Sequence, residues 1–350
     1  MVSAEAMRPP CGAMVVSRCK LYLMRRLLAV LCMAAVLPAA WAERYALLVG
    51  VGEVVVLPPR LWLHGPDNDV ALMRQALLAR GLSPQHITVL ARGVPGAAAL
   101  PTYAAITGAM AVLRDQVRPG DSVVLHLAGH GAQVPQAESG GGAGTPWPEP
   151  DGLDEVFLAT DVGRWDDRVA RLPRALRDDE IGDWIDALVD RGATVWAVFD
   201  TCHAAGMARG SGSTRWRNVA AAELGVPAGA VSSAQPGVAT AATGSELGRR
   251  SGRRSSVAAS SAAGAAPRLD GRVLAYAARA HEATGEEWLP RGGGLARARM
   301  HGVFSHAVAQ ALAEGADSAA ALRVFLRQRY ARDGRVAPVP QVVGDGALFR

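Results

Sequence analysis

Short runs of apolar, mostly β-branched residues recur along this chain. They are Tyr45–Val51, Ile87–Leu90, Val123–Leu127, Thr194–Phe199 and Val273–Tyr276. Between them the apolar positions take helical spacing, over Val70–Leu78, Ala104–Leu113, Ile181–Val189 and Val303–Leu312. Near-continuous apolar strands that alternate with amphipathic helices are typical of a parallel sheet covered on both faces. The pattern therefore predicts an α/β fold with a mostly parallel central sheet flanked by helices on both faces.

Residues 204–267 follow neither period. Ala, Gly, Ser, Thr and Val dominate this stretch, and no aromatic residue follows Trp216 within it. Such a composition buries too little apolar surface to offset the entropy lost on ordering. We therefore predict one domain that is interrupted by a flexible, disordered linker at residues 204–267. Residues 43–203 and 268–350 then form the two parts of the fold.

Residues 1–42 have the pattern of a signal peptide. Arg25 and Arg26 precede the apolar run Leu27–Leu37, and Ala40–Ala42 offers a small-x-small cleavage site. The apolar run of about 11 residues is shorter than the roughly 20 that a membrane-spanning helix needs. We predict an exported protein, periplasmic or secreted, that is free of the membrane once the leader is cleaved; the alternative is that the leader is retained as a membrane anchor.

Removing this leader changes the charge and the cysteine count. The whole chain has 37 Lys and Arg residues against 32 Asp and Glu residues, a net charge of +5. The leader holds much of that excess, so the mature part is close to neutral and nucleic acid is not an expected partner. Cys11, Cys19 and Cys32 also lie in the leader. Cys202 is then the single thiol, which excludes an intramolecular disulfide and leaves either a small buried residue or a nucleophile.

Two strand ends carry residues suited to peptide hydrolysis. The strand Val123–Leu127 runs into an Ala-Gly-His-Gly turn that contains His130, and the strand Thr194–Phe199 delivers Asp200 and Cys202. The carboxyl ends of parallel strands meet at one edge of a sheet, where ligands bind. If the two strands are neighbours, His130 and Cys202 face each other there.

A Cys–His pair at this edge suits acyl transfer. An imidazole favours the thiolate of Cys202, which attacks a carbonyl, and the imidazolium of His130 then protonates the leaving amine. The negative charge that develops on the carbonyl oxygen needs fixed donors. The backbone N–H groups of Gly131 and Cys202 are the candidates.

At these residues the chain resembles the metacaspases, within the caspase–haemoglobinase group. The family pattern is a strand ending in Ser-Gly-His-Gly, an acidic Asp-Gly-x-Asp-Glu segment and a strand ending in Asp-x-Cys-His-x-Gly. The matching segments here are Ala128–Gly131, Asp151–Glu155 and Asp200–Gly206. Leu63–Val70 looks like the family's Gly-x-x-Asn-Asp-Ala helix start, and the resemblance resumes after residue 270. It covers about residues 44–203 and 270–345.

The resemblance implies a caspase-like fold and a cysteine endopeptidase that cleaves after Arg or Lys, with Cys202 as nucleophile and His130 as its acid–base partner. It also implies that Asp69 and Asp200 form the floor of the specificity pocket, where a carboxylate pair can hold a guanidinium by charge-assisted hydrogen bonds. The alternative for Asp69 is a helix N-terminal cap, and both roles can coexist. We expect a monomer whose partners are peptide or protein substrates.

One residue departs from the family pattern, because Ala128 stands where the family has a pocket serine. The missing hydroxyl keeps a second interpretation open, in which the chain is a weak or inactive caspase-like module that binds peptides or protein partners. We expect that no cofactor is required, and the remaining histidines lack the spacing of a zinc site.

Some metacaspases bind activating Ca²⁺ through carboxylates that match Asp154, Asp178 and Asp179 here. Oxygen-rich acidic clusters suit this ion. The alternative is that these are solvated acids at a strand and at a helix start.

The linker contains two dibasic sites, Arg249–Arg250 and Arg253–Arg254. Flexible, exposed stretches are where proteolysis concentrates. We therefore predict self-cleavage within residues 249–254, giving two fragments that stay associated.

Overall fold

The computed structural model describes residues 42–136, 152–202, 215–234, 270–279, 282–290 and 298–347. The chain divides into two compact units, Met1–Ala42 and Glu43–Arg350. The predicted signal peptide, apart from Ala42, lies outside the described residues, and so do the dibasic sites at 249–254. In the described part of the second unit, no helix is long and apolar enough to cross a membrane.

The described residues form strands in three sheets. In chain order the strands are β1 Arg44–Gly50, β2 Ile87–Leu90, β3 Ser122–Ala128, β4 Gly131–Pro135, β5 Leu153–Leu158, β6 Ala175–Arg177, β7 Thr194–Asp200, β8 Arg215–Trp216, β9 Arg272–Tyr276, β10 Gly285–Leu289, β11 Arg299–Gly302 and β12 Gln341–Val343. The central sheet has the order β12-β9-β7-β3-β1-β2, and two small sheets have the orders β11-β10-β8 and β4-β5-β6. Within the central sheet only the β12–β9 pair is antiparallel.

Helices cover both faces of the central sheet. They are α1 Pro66–Ala79, α2 Tyr103–Gln116, α3 Asp178–Asp190, α4 Ala228–Ala234, α5 Val303–Ala313 and α6 Ala319–Arg332. One core cluster joins the sheet to α2 and α3, and a second joins its other face to α1, α5 and α6. Because side chains alternate along a strand, β3 sends Leu125 into the first cluster and Val124 into the second.

This architecture confirms the predicted fold class. Each of the five apolar runs forms a strand of the central sheet, namely β1, β2, β3, β7 and β9, and each predicted helical segment lies within a helix. These strands are readable from sequence because both of their faces are buried, so that apolar residues fill nearly every position.

The structure departs from the predicted linker over residues 215–234. This stretch forms β8 and α4, and Leu224 and Val226 are buried in the core cluster of α2 and α3. Its apolar residues are few, but they are anchored by contacts with distant parts of the chain. The remainder of 204–267 lies outside the described residues.

Candidate active site

Neighbouring strands bring the two predicted catalytic segments together. β3 and β7 pair in parallel register, with Ala128 opposite Asp200 at their carboxyl ends. Just beyond, a Cβ atom added to Gly131 would lie 2.1 Å from the carbonyl oxygen of Cys202. The turn after β3 and the turn after β7 are therefore in direct backbone contact, and glycine is needed at 131 for this approach.

The Cys202 thiol is buried in this site. The Thr284 N–H donates a hydrogen bond to Sγ over 2.7 Å. The thiol in turn donates a hydrogen bond to the Thr284 carbonyl oxygen over 3.1 Å. Burial, which disfavours the thiolate, raises the pKa of Cys202 to about 12. The thiol is thus held in its protonated form.

The imidazole of His130 is also buried, and Nε2 lies 2.5 Å from the Leu61 carbonyl oxygen. A carbonyl only accepts hydrogen bonds, so Nε2 carries the proton and Nδ1 carries the free lone pair. Nδ1 has no hydrogen-bond partner among the described residues. Burial lowers the pKa of His130 to about 4, although its contacts with the backbone of Leu61 and of Arg217 act in the opposite direction.

The pocket formed by Asp69 and Asp200 holds the guanidinium of Arg217. Nη2 donates to Asp69 Oδ2 over 2.5 Å, and Nη1 lies 3.2 Å from Asp200 Oδ2 and 2.9 Å from the Asp200 carbonyl oxygen. A third carboxylate, Glu286, lies 4.0 Å from Nη2. All four side chains are 0% exposed. The two predicted pocket residues thus bind a guanidinium of the protein itself.

Backbone N–H groups hold these carboxylates in place. Asp69 Oδ1 accepts from the Gly302 N–H at 3.0 Å and lies 3.0 Å from His301 Nδ1. Asp200 Oδ2 accepts from the Ser305 N–H at the start of α5 over 2.9 Å. Charge-assisted bonds of this kind fix both position and ionisation.

Glu286 is held in the same manner from the other side of the pocket. It accepts from the N–H groups of His64 and Gly65 over 2.8 and 2.7 Å. These two residues directly precede α1, which carries Asp69. Short backbone contacts therefore tie all three carboxylates to the ends of helices or strands.

One cation shared by three buried carboxyl groups gives them different pKa shifts. Burial alone would raise the pKa of Asp69, but Arg217 and His301 outweigh it and hold the pKa below its usual value. Burial raises the pKa values of Asp200 and Glu286, because Arg217 only partly offsets it. The site therefore has a surplus of acidic groups over the single guanidinium.

The backbone of Arg217 also lies in the site. Its N–H donates to the Thr284 carbonyl oxygen over 2.9 Å, and its carbonyl oxygen accepts from the Gly131 N–H over 2.9 Å. The Gly131 N–H, which the sequence analysis names as a donor to the attacked carbonyl oxygen, is therefore paired with the peptide carbonyl of Arg217.

The predicted calcium ligands are only partly together. Asp154 and Asp179 are close enough for the charge of Asp179 to raise the pKa of Asp154, after the larger effect of burial, and the buried Asp179 Oδ2 has no hydrogen-bond partner among the described residues. Asp178 lies instead near Tyr276, whose pKa burial and this carboxylate raise to about 12. The described residues contain no cluster of three or more His, Cys, Asp or Glu side chains that could hold a metal ion.

Asp69 is not a helix cap. Helix α1 begins at Pro66 with Gly65 as its N-cap, so Asp69 lies in the first turn and its side chain points into the pocket. Asp179 likewise lies in the first turn of α3, after the N-cap Arg177.

Sequence reasoning missed Arg217, Glu286 and the carbonyls of Leu61 and Thr284. The carbonyls leave no trace in side-chain patterns. Arg217 is 148 residues from Asp69, and nothing local marks the contact. Glu286 is not marked by its local sequence either, because Glu287 follows it directly between Gly285 and Trp288.

Comparisons with known proteins find a family that is similar to part of this chain. Residues 44–209 match the family described as metacaspase, peptidase C14 domain. Metacaspase-1 of Candida albicans is 30% identical over 161 residues, which are 46% of this chain and 33% of the relative. Metacaspase-1B of Aspergillus fumigatus is 29% identical over 166 residues, 47% of this chain and 36% of the relative. The match thus spans about a third of these relatives.

The crystal structure of protein GSU0716 from Geobacter sulfurreducens covers 88% of this chain and 94% of its own, at 17% identity and a TM-score of 0.48. The matched family segment contains β3 and β7, whose neighbouring ends precede His130 and Cys202 in the chain. The segment at residues 44–209 is therefore similar to the metacaspase family, described as a peptidase C14 domain.

Proposed function

We propose that this protein is a cysteine endopeptidase that cleaves peptide bonds after arginine, and more weakly after lysine. The observation that carries the proposal is the guanidinium of Arg217 bound between Asp69 and Asp200. A pocket that holds an internal arginine has the size, depth and charge to hold the arginine of a substrate. Arg makes planar, forked bonds to carboxylates that the point charge of Lys does not reproduce.

In the proposed reaction, His130 Nδ1 takes the proton of the Cys202 thiol and later gives it to the leaving amine. The Leu61 carbonyl supports this role, because its bond to Nε2–H fixes the tautomer that leaves Nδ1 free. The Gly131 N–H supplies one donor to the oxygen of the attacked carbonyl. The catalytic roles of Cys202, His130 and Gly131 and the pocket roles of Asp69 and Asp200 are parts of this one proposal.

The rival function is a non-catalytic module that binds peptides or protein partners. Two observations favour it: Ala128 provides no pocket hydroxyl, and burial raises the pKa of Cys202 to about 12. A reactive dyad needs a thiolate near neutral pH, so activity requires the site to open and the thiol to come into contact with the imidazole.

The test is hydrolysis of a small peptide that carries a fluorogenic amide after arginine, with the lysine analogue beside it. We expect release by the wild-type chain, faster after arginine, and loss of at least about 1,000-fold in Cys202→Ala and in His130→Ala, in the range found when a nucleophile or its base is removed. Activity that persists in Cys202→Ala would remove the thiol from the mechanism. No hydrolysis by the wild-type chain under any condition would favour the binding module.

Calcium activation is a separate part of the proposal. Asp154 and Asp179 are the two carboxylates that support it, since the charge of Asp179 raises the pKa of Asp154 and Asp179 Oδ2 has no hydrogen-bond partner among the described residues. Bound Ca²⁺ would neutralise this pair, with Asp178 as the third predicted ligand. We expect Ca²⁺ to raise the hydrolysis rate and Asp179→Asn to abolish the increase, while a rate equal in Ca²⁺ and in chelator would contradict the site.

Export and linker processing complete the proposal. Residues 1–42 support delivery to the periplasm or beyond, and the expected mature N-terminus is Glu43. The dibasic sites at 249–254 remain candidates for self-cleavage. Mass spectrometry of protein secreted by an expressing cell tests both, because each cut leaves a terminus of defined mass.

A further inference from the structure

A cavity of about 410 Å³ lies between helix α6 and strand β12. Its walls are largely apolar, with Leu326 on α6, Val342 on β12, and Val336 and Val339 in the segment that joins them. Pockets of roughly 300–1,000 Å³ with apolar walls and a few polar groups are typical of small-molecule sites. None of the residues that line this cavity has a role in the candidate active site.

Two buried hydrogen-bond donors among the lining residues have no acceptor. Tyr330 is only 5% exposed, and neither its hydroxyl nor Arg335 Nε has a hydrogen-bond partner among the described residues. Arg335 Nε lies 3.8 Å from Asp333 Oδ2, which is too far for a hydrogen bond. Burial raises the pKa of Tyr330, so the hydroxyl keeps its proton. Such unpaired groups are rare in folded proteins and are costly to bury.

The backbone holds these two donors in one place. The Arg335 N–H donates to the Tyr330 carbonyl oxygen over 2.8 Å. The two terminal nitrogens of Arg335 donate to Glu287 on β10 over 2.9 and 2.7 Å, which leaves Nε as the nitrogen without an acceptor. An oxygen atom of a bound ligand would supply the acceptor that the described residues lack.

The charge around the cavity is positive. Arg323, Arg327 and Arg335 line it, and the lining residues that the structure describes include no Asp or Glu. Arg323 pairs with Asp345 over 2.9 Å. Arg327 is exposed on α6 and has no ion pair within the described part of the chain. Helix α6 contains four arginines and no acidic residue, so its charge complements an anion.

We propose that this cavity binds a small carboxylic acid with an apolar body, of the size of a medium-chain fatty acid. A carboxylate oxygen accepts hydrogen bonds from Tyr330 and Arg335, and the unpaired charge of Arg327 attracts the acid to the cavity. The apolar body packs against Leu326, Val339 and Val342. The inference is independent of the proposed peptidase activity, because the cavity shares no residue with that site.

The experiment titrates the full-length chain with decanoate, below its micelle concentration, in a calorimeter. Cys202→Ala serves as the host chain, so that no cleavage takes place during the titration. We expect saturable binding at one site. Decanol, which has the same apolar body and no charge, should bind at least about 10-fold more weakly, because hydrogen bonds to a charged acceptor are the stronger ones. Acetate, which has the charge and almost no apolar body, should also bind more weakly.

Tyr330→Phe removes only the buried hydroxyl and should weaken the binding of decanoate about 10-fold. Because this hydroxyl has no partner in the fold, the unliganded variant should unfold at the same temperature as the parent chain or at a higher one. Decanoate should raise the unfolding temperature of the parent chain more than that of the variant.

Tyr103→Phe is the matched control. Its hydroxyl donates to Glu180 over 2.7 Å, and Tyr103 packs against the core on the face of the sheet that α2 and α3 cover. This variant should bind decanoate as tightly as the parent chain and should unfold at a lower temperature, because it loses a hydrogen bond that the fold makes.

Three results would overturn the inference, and none of them bears on peptide hydrolysis. Decanol that binds as tightly as decanoate would remove the recognition of charge. Undiminished binding in Tyr330→Phe, or no saturable binding by the parent chain, would remove the site. Binding that weakens as the chain concentration rises and dimers form would assign the cavity to a second copy of the chain.

Discussion

Glu286 is a third carboxyl group in the pocket that Asp69 and Asp200 form. Its carboxylate is fully buried and 4.0 Å from the guanidinium of Arg217, and two backbone N–H groups fix it there. Burying a third carboxyl group next to two others is costly unless a cation is bound. We infer that Glu286 strengthens the preference of the pocket for a guanidinium.

The variant Glu286→Gln tests this role. Removing one of three negative charges around the bound cation should lower kcat/KM for the arginine peptide about 10-fold, which corresponds to about 1.4 kcal/mol of transition-state binding. The amide keeps the shape, so folding should be retained. Steady-state kinetics on arginine and lysine peptides provide the measurement.

Glu287→Gln is the control for this substitution, because the next residue on β10 points away and pairs with Arg335 at 2.7 Å. It should leave kcat/KM unchanged. An equal loss in both variants would mean that the effect comes from the strand and not from the pocket.

At the scale of elements, the N-terminus of α5 is part of the site. The Gly302 N–H donates to Asp69, and the Ser305 N–H donates to Asp200. Free N–H groups and the helix dipole favour negative charge at this end. A Cβ atom at Gly302 would lie 2.2 Å from Asp200 Oδ2 and 2.6 Å from Arg217 Nη2. Glycine at this position therefore lets the helix approach both carboxylates.

We expect Gly302→Ala to cost about 1–3 kcal/mol of unfolding free energy through overpacking, and to lower kcat/KM by displacing Asp200. Chemical denaturation and peptide hydrolysis measure the two effects. Gly182→Ala in α3 is the matched control, since its Cβ would meet nothing within 4 Å. That change should raise stability by about 0.4–1 kcal/mol. Equal effects at the two positions would contradict the close approach at Gly302.

Two of the elements that escaped sequence reasoning, β8 and β10, border the site. β10 buries the acidic Glu286 and exposes Trp288 two positions later, the reverse of the usual burial of apolar and exposure of charged side chains. β8 has two residues, too few for any period, and is held by pairing with β10. The central strands were predictable because burial on both faces fills them with apolar residues. The pocket depends on contacts such as Arg217 with Asp69, which composition and periodicity do not encode.

At the scale of the whole molecule, the sheet buries histidines along with its apolar core. His126 on β3 is 0% exposed, as expected for a core residue, and its Nε2 lies 2.9 Å from Ser305 Oγ. Burial lowers the pKa values of both His126 and His130 to about 4. In the unfolded chain these imidazoles titrate near 6.5. Between about pH 6.5 and pH 4, both imidazoles are therefore neutral in the folded chain and protonated in the unfolded chain.

This exclusion makes the stability of the fold fall as the pH falls. Between those two pKa values the unfolded chain binds more protons than the folded chain, so the unfolding free energy rises with pH across the window. Each histidine should lower the unfolding free energy by about 2 kcal/mol between pH 7.5 and pH 5, and this decrease should level off below about pH 4.

The variant His126→Asn has no imidazole to titrate at this position. The difference between its unfolding free energy and that of the wild type at pH 7.5 should therefore shrink by about 2 kcal/mol at pH 5. Leu322→Ala, a buried substitution in α6 that titrates nothing, should show the same deficit at both values. Denaturant unfolding of the three proteins at both pH values makes the comparison, and parallel pH profiles for wild type and His126→Asn would contradict a neutral, buried His126.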